Sequence, residues 1–161
     1  HKAIRRQRQM CIRDRVNDLL EQLDNSPLPP RLLHLIIPAE AILDHAESVQ
    51  KLRLAGCRIV LSQVGRDLQI FNSLKANMAD YLLLDGELCA NVQGNLMDEM
   101  LITIIQGHAQ RLGMKTIAGP VVLPLVMDTL SGIGVDLIYG EVIADAQPLD
   151  LLVNSSYFAI N

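Results

Sequence analysis

From residue 16 onward, apolar residues recur in two alternating rhythms. Val16, Leu19, Leu20 and Leu23 keep the i, i+3, i+4, i+7 stripe of an amphipathic helix, and the run Asn25-Ser-Pro-Leu-Pro-Pro30 stops it. Leu32–Pro38 (LLHLIIP) is a short apolar run of strand length. The beat then repeats. A helix is predicted over 41–55, ended by Gly56, then a strand over 58–61 and a helix over 68–76. A strand over 81–84 follows, then a long helix over 96–112 stopped by Gly113. After it come a strand over 115–118, a helix over 124–133 with Pro near its first turn, and a strand over 135–139.

Near-continuous apolar strands separated by single helices imply an α/β fold with a parallel sheet. Five βα beats do not close a (β/α)8 barrel. The pattern therefore fits either an open doubly wound sheet or an incomplete TIM-type barrel, about its last five βα units with the first strands missing. The N-terminus, which reads as foreign sequence, tips the choice to the incomplete barrel. Residues 1–15 (HKAIRRQRQMCIRDR) carry a net charge of +5, and the remaining residues carry −9. A basic arm of that kind suits nucleic acid or anionic lipid. RQRQMCIRDR instead reads as translated sequencing adapter, so 1–15 is set aside as a non-native segment and the fold is assigned to 16–161.

Half of the 161 residues are hydrophobic, with two Phe, three Tyr and no Trp, and mean hydropathy is +0.24. The core is thus expected to be aliphatic, with Met97, Met100 and Met127 on its helical stripes. No apolar run reaches the 18 or so residues of a membrane span, so no direct membrane contact is expected of this segment. Cys11, Cys57 and Cys89 show no metal or redox spacing and read as reduced thiols of a cytoplasmic protein.

In a parallel α/β fold, chemistry gathers at the carboxyl ends of the strands. Those ends read Ile36-Ile-Pro-Ala39, Ser62-Gln-Val-Gly65, Leu83-Leu-Asp85-Gly86, Ala118-Gly-Pro-Val-Val122 and Tyr139-Gly-Glu141. Taken in order, they resemble the EAL domain, a barrel phosphodiesterase family that hydrolyses cyclic di-GMP. Its strands end E-I-(T/P)-E, D-D-F-G, K-I-D, A-E-G-V-E and Q-G-Y. Pro38, Gly65, Leu74-Lys75, Asp80-Tyr81, Asp85-Gly86, Ala118 and Gly140 match the scaffold.

The catalytic positions of the family do not carry over. Ile36 and Ala39 replace the two carboxylates of E-I-(T/P)-E, Ser62-Gln63 the family's Asp pair, and Leu83 its Lys. Gly119 and Val122 stand at its two Glu positions and Tyr139 at its Gln, leaving Asp85 in place. Two hard cations about 4 Å apart need several anionic ligands, so the resemblance implies a degenerate domain that binds no metal, needs no cofactor and is not an enzyme. A lone carboxylate such as Asp85 more often caps the following turn. His34, His45 and His108 stand singly, without ligand spacing.

Among degenerate members the chain is most similar to the CsrD type, through Gln63-Val-Gly65 and Gln147-Pro-Leu-Asp150. That likeness implies a regulatory domain at the C-terminus of a larger, membrane-anchored protein, acting on small-RNA decay through a protein partner. Arg66-Asp67 stand in the loop that contributes to dimer contacts in active relatives, and are expected at an altered interface, including a homodimer. The alternatives are a cyclic di-GMP receptor, weakened by the apolar floor at Ile36, Ala39, Leu83 and Val122, and, more remotely, an active phosphodiesterase.

Overall fold

The computed structural model of this chain describes residues 15–65 and 73–145. Helix α1 spans 15–24 and turns Leu23 into the core, with Val16, Leu19 and Leu20 packed against it. A 3-10 turn, Pro30–Leu32, leads into β1 (His34–Pro38). Then follow α2 (Ala39–Asp44), α3 (Ala46–Leu54) and β2 (Arg58–Val64). Next come β3 (Tyr81–Leu84), α4 (Gly86–Asn91) and α5 (Leu96–Leu112). The last elements are β4 (Lys115–Ala118), α6 (Pro124–Ile133) and β5 (Leu137–Ile138).

The five strands form one parallel sheet in the order β1-β2-β3-β4-β5. A doubly wound sheet reverses its strand order at a switch point and covers both faces; neither holds here. Ile59, Leu61, Leu82, Leu84, Thr116 and Ala118 form one buried layer beneath the helices. On the other face Ile36 and Leu137 are exposed, and Ser62, Leu83 and Ile117 are only partly covered. Val60 is the exception on that face, and its neighbours explain it. His34 and Tyr81, on the strands either side of β2, stack their rings at 5.4 Å. Strands two apart lie about 9.6 Å from each other in a flat sheet, so the two rings lean together over Val60, as a sheet curved toward this face favours. The sheet is a sector of a barrel wall with its inner face open.

Element boundaries differ from the sequence pattern in five places. The strand expected from Leu32 begins at His34, because Pro30–Leu32 take a 3-10 turn. The helix predicted over 41–55 begins at Ala39 and is broken at His45, which leaves helical backbone angles with no Gly or Pro to announce it. The second strand continues through the polar pair Ser62-Gln63 to Val64. The last strand shrinks to Leu137–Ile138, because residues before it close α6. Gly134 adopts φ +92°, and the Val135 amide donates to the Leu130 carbonyl, a Schellman-type ending. Helix α4 was not anticipated, since six residues are too few to show a period. The predicted 68–76 helix falls mostly outside the described residues.

Two carboxylates organise the amino ends of the strands. Asp80, just before β3, accepts from the Ile59 amide at 2.9 Å and from the Arg58 guanidinium at 2.9 Å, with Arg53 at 3.7 Å. Asp136, just before β5, accepts from the Thr116 amide at 2.9 Å. The Thr116 hydroxyl also bonds the Gln106 carbonyl oxygen, and the Gln106 amide donates to the Gly134 carbonyl at 2.6 Å. Gln106 and Thr116 are both buried, so their side chains depend on these bonds, while Asp136 at the edge of the network is exposed.

Burial alone would push the Asp80 carboxyl up, but the Ile59 amide, Arg58 and Arg53 outweigh it and hold the pKa below its ordinary value. Asp136 behaves alike: burial raises it, while Thr116, Gln106 and Lys115 together bring it down. A carboxyl depressed on folding contributes stability above its unfolded pKa of about 4. That contribution disappears as pH falls through the lower, folded value. Asp80→Asn and Asp136→Asn should therefore each be less stable than the parent at neutral pH, with a shallower loss of stability on acidification below about pH 4. Urea unfolding at neutral and acid pH measures both, and an unchanged acid dependence in either variant removes that clasp. Thr116→Val keeps the shape and deletes the hydroxyl, leaving the buried side-chain oxygen of Gln106 without its donor, and should cost about 1–3 kcal/mol in the same assay.

Candidate functional site

The carboxyl ends of the strands lie together at one end of the sheet, as parallel pairing requires. Pro38 sits opposite Ser62, Val64 opposite Leu84, and Ala118 opposite Ile138. All nine positions singled out from the sequence therefore belong to one rim. Ile36 is 64% exposed, while Ala39 is buried in the first turn of α2.

The β2 end is distorted. Its pairing with β3 shifts between Leu61 and Val64, and Gln63 takes φ +62°, a left-handed conformation that costs a non-glycine residue free energy. An extra residue of this kind bends a strand and re-aims its side chains, and bulges gather beside active sites. Here the bulge presents an exposed Gln63 and a half-exposed Ser62.

Asp85 has a backbone task. It is buried at the N-cap of α4, where its carboxylate accepts from the Glu87 amide at 3.0 Å and from the Leu88 amide at 3.4 Å. The carboxylate that the sequence retains thus holds a helix start. Cys89, one turn on, is fully buried. Burial pushes its thiol up, the Gly119 amide acts in the opposite sense, and the nearby Asp85 charge adds to the rise. Cys57 is also buried and raised by burial, and both thiols are free. Cys11 lies outside the described residues.

At the β4 and β5 ends, the chain crosses itself at close quarters. The Val121 amide donates to the Tyr139 carbonyl at 2.9 Å, and the Val142 amide to the Val121 carbonyl at 3.2 Å. Gly119 has φ +146°. A Cβ there would strike the Tyr139 carbonyl oxygen and lie 2.7 and 2.8 Å from two carbons of its ring. The Tyr139 ring therefore fills the space that a side chain at 119 would need. Leu83 is partly covered, and Val122 and Tyr139 are exposed at 58% and 46%.

Among the described residues, no group of three or more His, Cys, Asp or Glu stands close enough to hold a metal ion. Residues 76–107 contain no Lys, Arg or His, and neither do residues 116–161. The β3 and β5 ends thus carry carboxylates, the β4 end carries no charge, and none of the three carries a cation. Arg66 and Asp67, and the Gln147–Asp150 stretch, lie outside the described residues. An apolar cleft of about 320 Å³, lined by Val16, Leu35, Ile37, His45 and Leu52 among others, opens instead at the β1 edge. No helix among the described residues is long and apolar enough to cross a membrane.

The methionines correct the sequence reading. Met127 packs against the core, but Met97 is 70% and Met100 51% exposed. The stripe of α5 that faces inward is Ile102, Ile105, Gln106 and Ala109. Periodicity alone does not distinguish two apolar stripes on one helix, and only the packed sheet decides which is inside.

The EAL domain family matches residues 4–146 of this chain. The chain is 99% identical over 146 residues to the probable diguanylate cyclase DgcE of Escherichia coli K12, covering 91% of this chain and 13% of that protein. It is 28% identical over 102 residues to the cyclic di-GMP phosphodiesterase PdeF of the same organism, covering 63% and 14% respectively. The chain thus spans about one seventh of the length of these relatives. Among solved structures it resembles the Xanthomonas citri FimX EAL domain in complex with c-di-GMP, with TM-score 0.70 and 26% identity over 83% of this chain and 54% of that one. It shares the fold of Klebsiella pneumoniae BlrP1, with TM-score 0.67 and 17% identity over 78% of this chain and 33% of that one. Barrel-sector sheet, strand-end rim and family match agree: the chain belongs to the EAL domain family, of which it forms a part.

Proposed function

We propose that this part of an EAL domain does not hydrolyse cyclic di-GMP and acts by binding a protein partner, as a regulatory unit of a larger protein in cyclic di-GMP signalling. One observation carries the reading: the rim presents Ile36, Leu83, Val122 and Tyr139 where the family places charged or amide side chains, and Asp85 is committed to capping α4. A hydrolytic water needs metal ions to become hydroxide near neutral pH, and developing phosphate charge needs them for neutralisation. A single capping carboxylate supplies neither.

The 99% identical relative is named for cyclic di-GMP synthesis, which favours placing the unit beside a cyclase. The CsrD-type role in small-RNA decay is therefore set behind it. A non-hydrolytic domain beside a synthetic one avoids destroying the product as it forms. The buried free thiols favour a cytoplasmic setting. A second reading, a cyclic di-GMP receptor, draws on the nucleotide named with the FimX structure. The absence of any cation across 76–107 and 116–161 weighs against it, because two phosphates would meet carboxylates there.

The test uses the intact polypeptide that carries this domain. With Mg²⁺ or Mn²⁺ it should hydrolyse cyclic di-GMP no faster than buffer, and any calorimetric binding at about 50 μM nucleotide, roughly −6 kcal/mol, should be unchanged by Ser62→Ala with Gln63→Ala on this rim. Metal-dependent turnover abolished by Asp85→Asn defeats the reading. Asp85→Ala should instead lower stability by about 0.5–2 kcal/mol through loss of the cap.

Restoring a single lost carboxylate should also fail. Gly119→Glu places a side chain on a backbone at φ +146° and into the Tyr139 ring, so thermal unfolding should occur at markedly lower temperature. Pairing it with Tyr139→Gln should recover part of that loss, by clearing the ring but not the backbone strain. A Gly119→Glu protein as stable as the parent contradicts the packing described.

A further inference from the structure

We propose that the start of α5 and the start of α6 form one apolar ridge, rimmed by carboxylates, that docks a cationic amphipathic helix of a partner protein. The inference rests on the non-hydrolytic reading above and adds the chemistry of the partner.

The ridge is built from two helix starts. Leu96 and Met97 open α5 and are each 70% exposed, and Leu123 and Leu125 at the start of α6 are 58% and 62% exposed. Gln93 ties the two together: its side-chain amide donates to the Leu125 carbonyl at 2.8 Å and to the Thr129 hydroxyl at 3.0 Å. Val122, also exposed, continues the apolar surface toward the strand-end rim. These helices cover the middle and the β5 side of the sheet, away from the open β1 edge. An exposed apolar surface of this kind marks an interaction site.

Charge selects the occupant. Asp98 and Glu99 lie in the first turn of α5, Asp128 lies on α6, and Glu141 follows β5. No Lys, Arg or His occurs in 76–107 or 116–161 to balance them. The cationic ends lie elsewhere: Lys51 and Arg53 end α3, Arg111 ends α5, and Arg58 and Lys115 start their strands. Nucleic acid, anionic lipid and a cyclic dinucleotide all meet like charge at the ridge, which costs binding free energy. A helix with apolar residues on one face and Lys or Arg beside them fills the ridge and neutralises its rim.

The test measures fluorescence anisotropy of labelled helical peptides against the intact polypeptide, in about 0.15 M salt. Three peptides of about five turns are compared: Leu/Lys amphipathic, Leu/Glu amphipathic, and Ser/Lys with the same charge as the first. The Leu/Lys peptide should bind, and its Kd should rise about tenfold or more in Leu123→Asp and in Leu125→Asp, whose side chains are exposed. Asp128→Lys together with Glu141→Lys should weaken it similarly. Leu/Glu should not bind, and Ser/Lys should bind far more weakly. Failure of the Leu/Lys peptide to bind, binding indifferent to the ridge variants, or equal binding of Ser/Lys each overturns the inference. Cyclic di-GMP hydrolysis with peptide binding intact overturns only the non-hydrolytic reading and leaves the ridge standing.

Discussion

A carboxylate placed one residue before a strand, gripping the peptide amide near the start of the preceding strand, occurs twice in this sheet. Asp80 holds Ile59 and Asp136 holds Thr116. Each bond fixes where one strand begins relative to its neighbour, and the pairings Val60 with Tyr81 and Ile117 with Leu137 follow. Side chains alternate along a strand, so a slip of one residue would turn Leu82 and Leu84 out of the core and Tyr81 and Leu83 into it. Register here is a boundary condition imposed at the amino ends, by groups remote from the rim.

That arrangement separates what folds the domain from what its rim presents. The retained rim residues are those with a backbone task. Asp85 caps α4. Gly65, at φ +111°, would press a Cβ to 2.7 Å from Leu88, and Gly140 lies directly on the Val121 backbone. Ile36, Ser62, Leu83 and Val122 mainly project a side chain from a frame that stands without it. In barrels of this kind, stability resides at the bottom of the strands and activity at the top, so the top can be rewritten while the sheet remains.

The order of elements was legible in the sequence because short β-rich apolar runs and helical stripes differ in period. The choice of a barrel sector over a doubly wound sheet came from the N-terminus and the order of the strand-end motifs, not from periodicity, since it depends on which face of each strand is covered. The stacking of His34 on Tyr81 expresses a curvature to which no local pattern corresponds. The rim positions could be named from their order along the chain, and the task of Asp85 from its place before a turn. Their present packing could not be read: that Tyr139 occupies the space beside Gly119 is a contact between residues twenty apart. Met97 and Met100 were misplaced for a related reason, as an outward apolar stripe looks like an inward one until the helix is set on its sheet.

The close approach at Gly119 also couples two neighbouring strand ends. A Cβ at 119 would meet the backbone carbonyl oxygen of Tyr139 before it met the ring. A side chain there therefore asks the backbone after β5 to move, whatever residue stands at 139. Change at the β4 end is thus a two-strand event, and the rim answers to its neighbours' main chain as much as to their side chains.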